Sequence, residues 1–178
     1  DSVRIPVDNA ICKTCREEIL NPENRYHQYA FNACVHCGPR YSVISRMPFA
    51  RTNTSMGDFN LCRACIDDFQ NIQHRRFHSE LQSCPDCGIK ITCTNNQGEV
   101  LETDPEAIFK QSAERLKKED ILAVKGLGGF HLCCDATNHD AIQKLRDRKH
   151  RPAKPLAIMF SDIEQLQHYC VPEPSVIK

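Results

Sequence analysis

The chain has 178 residues, room for one medium domain or two small ones. Its 23 lysines and arginines balance 23 aspartates and glutamates, so bulk charge calls for no polyanionic partner, and no apolar run is long enough to cross a bilayer. Twelve cysteines without a charged-then-apolar leader argue for a reducing cytoplasm and against a secreted disulfide scaffold.

Residues 1–10 read as a lead-in interrupted by Pro6. The stretch from Cys12 to Cys87 then organises the chain. It holds four Cys-x2-Cys pairs: Cys12/Cys15, Cys34/Cys37, Cys62/Cys65 and Cys84/Cys87. The pattern Cys-x2-Cys-x18-Cys-x2-Cys is written twice, at an offset of 50 residues. Asn21 and Asn71, Arg25 and Arg75, and Gly38 and Gly88 keep that offset, so two copies of one small unit are the natural reading.

Zinc takes four soft ligands in a tetrahedron, and a closed all-thiolate shell marks a structural site. A two-residue spacer lets one tight turn present two sulfurs to one ion, and the spacing is that of four-cysteine zinc sites. Two structural Zn2+ ions are therefore expected. Four knuckles can be joined two by two in three ways. The tandem repeat favours neighbours: Cys12, Cys15, Cys34 and Cys37 on one ion, and Cys62, Cys65, Cys84 and Cys87 on the other. An interleaved or nested pairing would need a fold shared across both copies. Large apolar residues are scarce here, and coordination would supply the missing stability, about 10–16 kcal/mol apparent per site in small fingers.

Residues 40–44 (Arg-Tyr-Ser-Val-Ile) predict a short strand leaving the second knuckle, and residues 89–93 predict its counterpart. Between the copies, residues 46–60 are polar, with Pro48 and Gly57, and predict a loop. Residues 95–98 predict a turn, after which the character changes. Asp104 can cap a helix with Pro105 at its first position, carrying Ile108, Phe109, Ser112, Ala113 and Leu116. Residues 121–124 read as a strand buried on both faces, and residues 130–134 as another strand. Asn138 can cap a helix through Lys149 that buries Ala141, Ile142 and Leu145. Residues 156–160 read as a further strand, and Asp162 caps a short helix carrying Ile163, Leu166 and Tyr169. This alternation is α/β, with few strands for such a sheet.

Two features suggest phosphate chemistry. The run from Lys125 through Gly126, Gly128 and Gly129 follows a predicted strand, where exposed amides and one cation can hold phosphate oxygens. It matches neither the P-loop nor the dinucleotide fingerprint, so a tight turn with a surface lysine is the plainer alternative. Residues 144–156 hold six basic residues and one acid. A solvated helix end explains most of them. Arg151 and Lys154, however, lie past the helix on a loop stiffened by Pro152 and Pro155, which suits a triphosphate. Cys93, Cys133, Cys134 and Cys170 read as packed thiols, and His27, His36, His74 and His78 as surface or packing residues.

The doubled cysteine pattern with Asn32-Ala33-Cys34-Val35-His36-Cys37-Gly38-Pro39-Arg40-Tyr41, the run Arg75-Arg76-Phe77-His78, and the segments around Lys125–Ala136 and Arg148–Leu156 together resemble the HypF family, the carbamoyltransferases of [NiFe]-hydrogenase maturation. The resemblance implies tandem C4 zinc fingers with short strands, followed by an incomplete α/β YrdC-like domain. It implies residues 1–50 as lead-in and first finger, 51–98 as loop and second finger, and 99–178 as the N-terminal part of the YrdC-like domain. The full enzyme would convert carbamate, released from carbamoyl phosphate, to carbamoyl-adenylate with ATP and Mg2+. It would then pass the carbamoyl group to the C-terminal cysteine of a HypE-like acceptor. By the same resemblance Lys125, Lys149, Arg151 and Lys154 are nucleotide-binding residues, and no catalytic residue is assigned. The start at Asp1 and the stop at Lys178 read as a piece of a larger protein, inactive by itself and able to self-associate through an open sheet edge. The alternative is a nucleic-acid-binding or tRNA-modification module, against which stand the balanced charge and the lack of a basic-aromatic stripe.

Overall fold

The computed structural model describes residues 4–173 and 175. They fall into two compact units. One comprises the described residues up to Glu114 together with Lys125–His131; the other comprises Arg115–Val124 with the described residues from Leu132 onward.

In the first unit each repeat opens with a short helix, α1 over Lys13–Leu20 and α2 over Arg63–Gln70. Cys12 and Cys62 occupy the N-cap positions, and Cys15 and Cys65 follow three residues later on the same face. Asn21 and Asn71 end the helices, their N–H groups returning to the carbonyls of Glu17 and Asp67. Gln28 and His78 are equivalent residues, and both take left-handed backbone at φ 57° and 49°. That conformation costs a non-glycine residue about 1–2 kcal/mol. In both copies the strained amide donates to the preceding helix, at Ile19 O and Phe69 O respectively.

The copies share their interior. One buried cluster joins Cys15, Ala33, Cys34, Cys37 and Val43 of the first repeat to Met56 of the connector and Leu81 of the second repeat. The other joins Cys65 and Cys84 of the second repeat to Tyr26 and Tyr29 of the first. Each set of cysteines is thus covered by side chains of the opposite copy. Tyr29 needs the missing side chain at Gly88, where a Cβ would stand 2.0 Å from its hydroxyl oxygen. Gly38 answers a different need, a φ of +90° beside Ala33.

Polar groups cross the same boundary. Arg76 is 1% exposed, donates to Ala33 O at 3.1 Å and Asn32 Oδ1 at 2.8 Å, and pairs with Glu18. Its guanidinium lies 4.1 Å from the centroid of the Tyr26 ring, the residue at its own position in the other copy. Burial pushes the Glu18 carboxyl up, but hydrogen bonds from Arg76 and Asn32 and the charges of Arg76 and Arg75 outweigh it and hold it below the usual carboxylate range. The pair's contribution is therefore present above the unfolded carboxylate pKa and lost as pH falls through the folded one. In the mirrored network Arg25 pairs with Asp68, which also lies near Tyr26 Oη and Gln82 Nε2.

The connector is a loop, as expected, but a tethered one. Arg51, inside a 3-10 turn over Arg51–Asn53, donates to the carbonyls of Glu80, Gln82 and Phe59. The lead-in is fixed by Asp8, whose carboxylate accepts from the amides of Arg40 and Ser42. The strand expected over residues 40–44 is instead a 3-10 turn over Tyr41–Val43. Arg40 O accepts from Val43 and Ile44, and the Arg40 guanidinium turns back onto Cys34 O and Val35 O, so the backbone cannot extend. Only Ile44 forms a bridge, to Thr54. The counterpart strand is shortened to β1, Cys93–Thr94, which pairs antiparallel with β2, Val100–Glu102, around a turn with Gly98 at φ +86°. Helix α3 runs over Pro105–Lys117, and Asp104 accepts from Ala107 N at 2.8 Å, the expected cap.

Strands β3, Leu122–Lys125, and β4, Phe130–Cys133, form a two-stranded sheet, antiparallel because four residues join them. The double burial expected at residues 121–124 is absent: Val124 is 50% exposed, since a two-strand ribbon cannot cover both faces. Helix α4, His139–Arg148, has its Asn138 cap on Ala141 N and buries Ala141 and Leu145, while Ile142 is half-buried. Residues 156–160, expected as a strand, have no ladder partner among the described residues. Helix α5, Ile163–Gln167, has the expected Asp162 cap. Among the described residues no helix is long and apolar enough to cross a membrane.

Gly88→Ala is expected to destabilise the first unit by about 1–3 kcal/mol, because the new methyl must displace Tyr29. Gly128→Ala, with nothing within 4 Å of its Cβ, is expected to stay within about 0.5 kcal/mol of the parent. Chemical denaturation of the metal-loaded chain checks both; equal stabilities would refute the close-approach account.

Candidate metal centres and a basic loop

The eight cysteines of the doubled pattern gather into two clusters, Cys12, Cys15, Cys34 and Cys37, and Cys62, Cys65, Cys84 and Cys87, each with its sulfurs within 4.8 Å of one another. In the first, Cys12–Cys34, Cys34–Cys37 and Cys15–Cys37 are 3.9, 3.8 and 3.6 Å apart. In the second, Cys62–Cys84, Cys84–Cys87 and Cys65–Cys87 are each 3.7 Å apart. A tetrahedron with metal–sulfur bonds of 2.3 Å has edges of about 3.8 Å. Both clusters therefore fit a tetrahedral thiophilic ion such as zinc, and neighbouring knuckles share a cluster. The sulfurs are too far apart for disulfides, whose bond is about 2.05 Å.

Helix N-termini and turn amides aim donors at the sulfurs; His36 N, for instance, lies 3.4 Å from Cys34 Sγ. Burial pushes the Cys15, Cys34, Cys65 and Cys84 thiols up. At Cys12 and Cys87 burial is outweighed by backbone N–H groups and neighbouring thiols, which hold both at about 7. A cation must displace the remaining protons, so loading is favoured by rising pH. Arginines complete each site. Arg75 Nη2 lies 3.1, 3.2 and 3.3 Å from the sulfurs of Cys12, Cys15 and Cys34, and Arg25 Nη2 lies 3.5 Å from Cys65 Sγ.

Cys93, Cys133 and Cys134 are half-buried and lie outside both clusters; Cys170, expected to be packed, is exposed. His74 Nε2 lies 3.6 Å from Asp68, and His78 packs on Phe69 and Phe77, so these histidines serve the fold.

Of the four cations expected at a nucleotide, Lys149, Arg151 and Lys154 share one loop after α4. Lys125 ends β3, with its ammonium 5.1 Å from the centroid of the Phe130 ring. The loop owes its shape to Arg146, which the basic run concealed. Its Nη1 donates to the carbonyls of Arg151, Pro152 and Lys154 at 3.1, 3.3 and 3.0 Å. Arg151 Nε is buried without a hydrogen-bond partner among the described residues.

Purified without added metal, the chain is expected to hold two equivalents of ion. Cys34→Ser is expected to lose the first-cluster ion, whereas Cys93→Ala keeps both. Elemental analysis with mass spectrometry checks this; a single equivalent in the parent chain, or disulfides among the eight cysteines, would contradict it.

The HypF finger family model matches residues 11–44 and 61–94, and a model for the Sua5, YciO and YrdC group, described as telomere recombination, matches residues 114–178. A carbamoyltransferase HypF of Rhodobacter capsulatus is 43% identical over 174 residues, 98% of this chain and 23% of that protein. The crystal structure of T. kodakarensis HypF superposes with a TM-score of 0.88 at 37% identity, covering 98% of this chain and 23% of that one. A full-length HypF in a phosphate- and nucleotide-bound form gives 0.83 at 35% identity, covering 97% of this chain and 22% of that one. The chain thus spans under a quarter of the length of the curated HypF relatives it matches. With both cysteine clusters falling inside the two finger matches, the chain belongs to the HypF family, of which it carries the paired fingers and part of a YrdC-like domain.

Proposed function

We propose that this chain is the finger pair and nucleotide-handling segment of a carbamoyltransferase. The parent enzyme activates carbamate, derived from carbamoyl phosphate, with ATP and Mg2+ to carbamoyl-adenylate, releasing pyrophosphate. It passes the carbamoyl group to the C-terminal cysteine of a HypE-like acceptor. Structural Zn2+ fills both cysteine clusters and takes no part in the chemistry, because an all-thiolate shell leaves no open position for substrate.

Lys125, Lys149, Arg151 and Lys154 contact the phosphates. The observation that carries this reading is the loop after α4. Arg146 fixes three of the loop's carbonyls, so the backbone that carries the cations is held before a ligand arrives and less ordering entropy is lost on binding. Arg151 Nε, buried without a hydrogen-bond partner among the described residues, leaves a spare donor on the same loop. Preorganised cations stabilise the charge that builds on the leaving pyrophosphate.

In the full-length enzyme, Lys149→Ala and Arg151→Ala are expected to slow carbamate-dependent pyrophosphate release about 100- to 1000-fold. Zinc content should not change. Arg151→Lys is expected to be damaging too, since lysine offers a point charge in place of a two-pronged grip. Near-normal pyrophosphate release by both alanine variants would refute the assignment and leave the basic run as a solvated helix end.

A further inference from the structure

Four thiolates around one Zn2+ carry a net charge of about −2. Two such clusters lie within the shared interior of the first unit, and a buried anion needs a compensating cation. A guanidinium from the other repeat reaches each cluster. Arg75, in the second copy, spreads one guanidinium between two targets: Nη1 lies 3.0 Å from Glu18, and Nη2 lies 3.1–3.3 Å from three sulfurs of the first cluster. Arg25, 50 residues earlier, reaches the other way, to Asp68 and to Cys65 Sγ at 3.5 Å.

We propose that Arg75 and Arg25 are crossed anchors, each stabilising the metal–thiolate cluster of the opposite repeat, so that retention of either ion depends on a side chain in the other copy. The inference rests on zinc filling both clusters. Pairing with a carboxylate does not by itself explain the geometry. Arg75 reaches Glu18 through Nη1, yet its second terminal nitrogen is placed among three sulfurs. The carboxylates strengthen the device: Glu18 and Asp68 stand three residues after Cys15 and Cys65, on the same helices. Arg75 uses the two prongs of its planar fork for helix and sulfur, whereas Arg25 meets Asp68 and Cys65 through Nη2 alone. Arg25 touches one sulfur where Arg75 touches three, so its effect is the smaller.

The test uses the whole zinc-loaded chain in a competing chelator. The eight cysteines are alkylated over time and mapped by mass spectrometry. Arg75→Gln is expected to expose Cys12, Cys15, Cys34 and Cys37 about 10- to 100-fold faster, the usual cost of losing a group that supports metal ligands. Cys62, Cys65, Cys84 and Cys87 keep their parent rate. Arg25→Gln reverses the pattern with a smaller change, and Arg75→Lys, which keeps the charge, falls between parent and Arg75→Gln. Faster exposure in the variant's own repeat, equal acceleration at both clusters, or parent rates with two zinc ions still bound would overturn the anchors. Arg75→Lys as fast as Arg75→Gln would overturn charge compensation as their cause. A parent chain that binds no zinc would overturn the metal reading itself, and the anchors with it.

Discussion

The finger pair depends on one ion pair, half-buried Glu18 of the first repeat with buried Arg76 of the second. Arg76 is almost wholly enclosed, and an enclosed guanidinium is tolerated only when its donors are used. Glu18, Asn32 and Ala33 O use them, and the ring of Tyr26 covers one face. All four partners belong to the first repeat. Separating the copies would strand a buried charge, so the pair fixes how the repeats meet as well as holding them together.

That constraint explains how a region so poor in large apolar residues keeps its form. Each metal cluster is a small rigid centre, but four sulfurs and a few turns enclose little. The missing cover comes from the opposite copy, Leu81 over the first cluster and Tyr26 with Tyr29 over the second. Coordination fixes the local turns, and the exchanged side chains supply the burial. A HypF finger on its own would have the first without the second.

Much of this was legible in the sequence. The cysteine spacing marked the eight candidate ligands, the tandem repeat favoured the neighbour pairing, and Asp104, Asn138 and Asp162 announced their helices through cap chemistry. A fold shared across both copies was expected as a requirement of interleaved or nested ligands; here the ligands are adjacent and the interior is shared all the same. Pattern reading reports what each copy contains, not which copy a side chain packs into. The signal was present, since Glu18 and Asp68 keep the same offset as Arg25 and Arg75. The strand expected at residues 40–44 failed because Arg40 turns back on the knuckle, a tertiary contact that β propensity does not see. The shape of the basic loop was hidden in the same way, since Arg146 looked like one more exposed cation on a helix end.

The central claim, that the copies are joined through their buried charges, is tested most directly by a double-mutant cycle. Glu18→Gln, Arg76→Gln and the double variant would be compared by denaturant unfolding at pH 7 with zinc content held equal. A direct pair predicts a coupling energy of about 1–3 kcal/mol, with the double variant less destabilised than the sum of the singles. Additivity within about 0.5 kcal/mol would contradict the account, because residues that do not interact add in that way.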